Sequence, residues 1–158
     1  MQKILSIAAV IAGAFYLAAG IGLLAFQNMV KGVYGLQGLE NINVYPIQNV
    51  LALAIMGIPC VVLGILSMSD SGNNKRGMDM LLVIYSSVML VLGEILITIG
   101  GVINNFIVGR TQGAAGLANM GIVSSAFSYI HFLITLSLVL LLLRGAFGLG
   151  ESRQRSHF

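Results

Sequence analysis

The apolar positions of this chain gather into four long runs, about Ile4–Phe26, Ile47–Met68, Leu81–Ile103 and Met120–Leu143. Charges, glycines and asparagines concentrate between them. Each run has the roughly 20 residues that a helix needs to cross a bilayer. At that length only a helix satisfies its own backbone N–H and C=O groups in hydrocarbon. The pattern therefore predicts an all-α, integral membrane four-transmembrane-helix bundle in a single domain, 1–158. Met1–Gly22 also has the form of a signal peptide, with Lys3 ahead of an apolar core. That core runs on to Phe26, longer than a typical signal core, and is read as a span.

The polar breaks set the expected topology. Lys3, Lys75, Arg76, Arg144, Arg153 and Arg155 fall on one side, Lys31 and Arg110 on the other. Six cations against two put both termini and the inner loop, 69–79, on the cytoplasmic side. That loop is a tight polar turn that makes the second and third runs antiparallel neighbours. The outer loops, 27–46 and 104–119, are rich in glycine and apolar residues and suit a membrane surface or a partner protein. Gly32, Gly35 and Gly38 follow no strand and have the wrong spacing for a phosphate-binding loop. In the basic tail, 144–158, Arg144, Arg153 and Arg155 are placed to meet anionic lipid headgroups.

Small residues predict where helices touch, because membrane helices associate through close packing. Ala14, Ala18 and Gly22 recur every fourth residue in the first run, with Ala9 and Gly13 on another face. The second run offers Gly57 and Gly64, and Pro59, which should kink the helix and free a carbonyl. Ser86, Gly93 and Gly100 give the third run a small-residue face turned away from its one acid, Glu94. With a packing face and a polar face, the third helix is expected to be the most enclosed of the four.

Glu94 carries the candidate chemistry. Ser87, Glu94, Thr98 and Asn105 share one face of the third run, and Ser124, Ser128, His131 and Thr135 share one face of the fourth. Glu94 lies thirteen residues from Leu81, about 20 Å along a helix, and His131 twelve residues from Leu143, about 18 Å. In antiparallel helices both groups sit near the midplane, so the two stripes are expected to face each other with Glu94 hydrogen-bonded to His131. Such a pair either fixes the register of two helices or holds a proton. Two potential ligands leave a metal shell incomplete, so no metal and no cofactor is expected.

Composition narrows the function. Charged residues make up 8% of the chain, against roughly 25% in an ordinary soluble domain. Mean hydropathy is +0.97. The single cysteine, Cys60, excludes cysteine-pair redox chemistry. His131 alone cannot supply the paired intramembrane histidines of a four-helix b-type cytochrome. Helix number resembles small multidrug transporters, and size with one intramembrane acid resembles the rotary-ATPase proteolipid, but the position of the acid fits neither. The expected function is a non-catalytic accessory or structural subunit of a larger membrane complex, in a prokaryotic cell membrane or an organelle membrane. Its expected partners are lipid and other integral-membrane subunits, a heteromeric assembly ahead of a homo-oligomer, with no nucleic acid. The alternative, from a different class, is a small oligomeric transporter or proton-handling protein centred on Glu94.

Overall fold

The computed structural model describes the backbone of residues 1–34, 52–69 and 75–155, with side chains placed at 1–22, 52–69, 75–96 and 130–151 and at a few positions between. Among these residues all regular structure is helical. Helix α1 is Gln2–Tyr34, α2 is Ile58–Ser69, preceded by a π-helical turn at Leu53–Gly57, and α3 is Lys75–Arg155. The 81 residues of α3 would stretch about 120 Å if straight, yet Asp79 bonds to Arg144 and Glu94 to His131. The chain therefore doubles back within α3. Both contacts are centred near Gln112, which makes the first arm, 75–96, and the second, 130–151, antiparallel neighbours.

Alpha helices α1 and α2 also run antiparallel. Ser6 meets Ser67, Gly64 lies against Val10, Gly57 against Tyr16 and Leu17, and Gly20 against Leu53, one pair after another along the interface. Ser137 on the second arm touches both Ala9 on α1 and Cys60 on α2. The core between the passages comprises Ala9, Tyr16, Met56, Cys60, Leu82, Ile134, Leu138 and Leu141 with their neighbours. Three segments are long and apolar enough to cross a membrane: Gln2–Gly22, Lys75–Leu96 and Ile130–Glu151. The fourth apolar helix, Leu53–Ser69, is shorter.

The helices outrun the apolar segments. Helix α1 continues through residues 27–34, and α3 carries helical backbone through 104–119 and on to Arg155, where loops and a tail were expected. Hydropathy marks where a helix leaves hydrocarbon, and helical backbone runs past that boundary on either side of the reversal between the two arms. The rest of the expected first outer loop, 35–46, and residues 70–74 of the inner loop lie outside the described residues.

Packing on α1 uses Ala9, Gly13, Tyr16 and Gly20, while Ala14, Ala18 and Gly22 are exposed on another face. Gly57, Gly64 and Gly93 each take a neighbouring side chain into the space a Cβ would fill. Gly100 lies outside the described side chains. The expectation that the Glu94 helix is the most enclosed is overturned. Of the three long spans, Lys75–Leu96 is the least buried, at 22%, against 33% for Gln2–Gly22 and 39% for Ile130–Glu151. Only its Ser86–Gly93 face is covered by this chain.

Gly145 tests this packing. An added Cβ there would lie 2.6 Å from the backbone carbonyl oxygen of Asp79, whereas at Gly22 it would meet nothing within 4 Å. Gly145→Ala should destabilise the fold by about 1–3 kcal/mol and Gly22→Ala should not, read as thermal unfolding midpoints in detergent.

Candidate functional site

The polar side chains of the described bundle form ties between helices, ordered by depth. Near the inner ends, Arg144 Nη1 donates to Asp79 Oδ1 at 2.5 Å, with the two residues 2% and 1% exposed. Glycine makes room for this pair. Gly145 rests against the Asp79 backbone, and Gly148 lies so close to the Asp79 carboxylate that no Cβ fits between them. Asp79 Oδ2 and Arg144 Nε have no hydrogen-bond partner among the described residues, so one short bond holds the two side chains together. The tail cation Arg144, expected to meet lipid headgroups, is thus turned inward onto an acid. The side chains of Arg153 and Arg155 lie outside the described residues.

At a similar depth Ser67 Oγ is 2.8 Å from Ser6 Oγ and 2.7 Å from the Gly64 carbonyl oxygen. Further in, the Ser137 hydroxyl donates to the Ala9 carbonyl at 2.6 Å, and the Cys60 sulfur lies 3.0 Å away from it. Three passages meet at that serine. The next tie follows from Pro59. In an α-helix the Ile55 carbonyl would receive the N–H of residue 59, and proline has none. The π turn adds to the mismatch, since Ile58 donates five residues back to Leu53. The Tyr85 hydroxyl, from the first arm of α3, lies 3.1 Å from the Ile55 carbonyl and 3.0 Å from that of Met56 and donates to them. The carbonyl freed by a sequence-legible proline is recovered by a tyrosine from another helix.

Glu94 and His131 form the outermost tie. His131 Nε2 is 2.9 Å from Glu94 Oε1 and 3.4 Å from Thr135 Oγ1. The His131 side chain is 20% exposed, but that of Glu94 is 62% exposed. The pair therefore sits on the rim of the bundle, with one carboxylate oxygen on the histidine. His131 Nδ1 is buried and has no hydrogen-bond partner among the described residues.

Of the remaining stripe residues, Ser87 and Thr98 are exposed on the Glu94 face. Asn105, Ser124 and Ser128 have side chains outside the described residues. Among the described residues no three metal-ligating side chains gather. Sequence reasoning missed the Asp79–Arg144 pair, although a signal existed. Asp79 and Arg144 flank Leu81 and Leu143 at the same end of two antiparallel runs, which puts opposite charges at one depth. Comparison with known protein families, curated proteins and solved structures finds no match to this chain.

Two measurements check the ties. Arg144→Met leaves Asp79 buried and unpaired, and should cost about 3–5 kcal/mol of stability, most of it recovered in the Asp79→Asn/Arg144→Met double variant. Tyr85→Phe leaves the Ile55 and Met56 carbonyls without their donor and should cost about 1–3 kcal/mol. Both are read by equilibrium unfolding in mixed micelles.

Proposed function

We propose that this chain is a non-catalytic accessory or structural subunit of a larger integral-membrane complex. In this reading it is a four-span bundle with both termini on the cytoplasmic side, and Leu53–Ser69 is the second span. One observation carries the proposal: the chemistry-bearing side chains are engaged with one another across helices. Cys60, Ser137, Ser6, Ser67, Tyr85, Asp79 and Arg144 each hold one passage to the next. Groups fixed in this way set register and rigidity, the properties of a scaffold. Glu94 and His131 join the same series as a latch between the two arms of α3.

The exposed Glu94 carboxylate favours a second reading, a proton-handling protein, because an acid on the rim of a bundle is accessible to carriers and cavities outside it. The two separate in one pair of experiments. Native mass spectrometry of the assembly extracted from its own membrane should show other polypeptides bound to this chain. The Glu94→Gln variant, which keeps a hydrogen-bonding group toward His131, should assemble and retain most of the activity of the complex. Proton flux through vesicles containing only this chain, abolished by Glu94→Gln, would overturn the accessory reading.

A further inference from the structure

The first arm of α3 presents a face unlike any other described surface of the bundle. Met80, Ile84, Ser87, Val91, Glu94 and Thr98 are all exposed, and their spacing alternates four and three residues. That is the a/d spacing of a helix seam, which keeps one stripe in contact with a partner helix along its length. The outward faces of the other passages are apolar: Ile4, Ile11 and Phe15 on α1, Ile58, Val62 and Ile65 on α2. Those faces suit lipid. A seam with a serine, an acid and a threonine along it does not, since a carboxylate facing hydrocarbon is costly.

The charge on this seam also narrows what covers it. His131 reaches one oxygen of Glu94 and leaves most of the carboxylate side chain uncovered. No cation of this chain reaches it among the described residues. Arg144 is held by Asp79, Lys75 lies 3.9 Å from Glu151 at the inner end, and Arg110 stacks 4.6 Å over the Phe106 ring. Arg110 is sixteen residues beyond Glu94, about 24 Å along a helix. A second copy of the chain seated symmetrically on the seam would oppose one Glu94 to another and bring no counter-charge.

Resting on the accessory-subunit reading and naming its partner, we infer that the Met80–Thr98 seam docks a transmembrane helix of a different subunit that carries a lysine or arginine at the depth of Glu94, and that this cation pairs with the second carboxylate oxygen of Glu94. The contact is charge-assisted and bidentate in the carboxylate, His131 on one oxygen and the partner's cation on the other. It fixes the axial position of the partner as well as its identity, because a cation displaced by a turn would be left unpaired in hydrocarbon.

A photo-crosslinking residue placed at Val91 in the intact assembly tests the seam, with Val62 as the lipid-facing control. The Val91 adduct should be a different polypeptide, joined within an apolar segment that holds a Lys or Arg within a turn of the linked site. Replacing that cation with Glu should abolish the adduct, Glu94→Lys should do the same, and the two reversals combined should restore it. Dicyclohexylcarbodiimide, which modifies only protonated carboxyl groups reachable from lipid, should leave Glu94 unmodified in the assembly and label it in the isolated chain. Val91 adducts only with lipid or with a second copy of this chain would overturn the seam, as would carbodiimide labelling of Glu94 inside the assembly. If native mass spectrometry finds other subunits while Val91 captures only lipid, the seam fails and the accessory reading stands. If no other subunit is found at all, both fail.

Discussion

Hydrocarbon offers a polar group no partner, and that single constraint explains most of this bundle. In water an unmade hydrogen bond is replaced by solvent; in a bilayer the fold must supply the replacement. Most interior polar side chains described here are therefore read best as connections, although the buried Ser86 hydroxyl has no partner among the described residues. The Pro59 site illustrates the logic. A proline and a π turn both disturb one backbone ladder, and the Tyr85 hydroxyl from another helix satisfies the carbonyls they expose. The same atom that solves a local problem in α2 also fixes how far α3 is advanced along it.

Two acid–base pairs in one hairpin show how surroundings set the role of a charge. Asp79 and Arg144 are sealed by helix backbone at Gly145 and Gly148, where the absence of a side chain lets the carboxylate settle against the opposite arm. Sealed pairs of this kind are weak evidence for net stability but strong constraints on register, because separating them strands two charges. Glu94 and His131 join the same two arms at a different depth, yet the acid stands at the rim with most of its side chain uncovered. One pair is sealed within the hairpin and the other stands at its edge.

Glycine and serine carry the packing in a way that spacing alone did not rank. Two small-residue faces on α1 are equally legible in the sequence, and the chain uses the one holding Ala9, Gly13, Tyr16 and Gly20. Nothing in the period distinguishes them. The choice is made by the partners, since Val61, Leu53 and Ser137 have shapes that fill one face and not the other. The ends of the helices were misjudged for a different reason. A hydropathy boundary records the change of solvent, while a backbone ladder ends only where a residue or a partner interrupts it.

The amino-acid sequence by itself determined the helical, membrane-like character of the chain, the disturbed backbone at Pro59, and that Glu94 and His131 share a depth. These are one-dimensional properties: run length, a missing N–H, and residue counts from a boundary. Tertiary structure alone decided which face of α1 packs, that Arg144 turns inward to Asp79, that Ser137 joins three passages, and that Glu94 stands on the rim. Those outcomes depend on the rotation of each helix about its axis, which is set by the summed fit of many neighbours and leaves no periodic trace in any one segment.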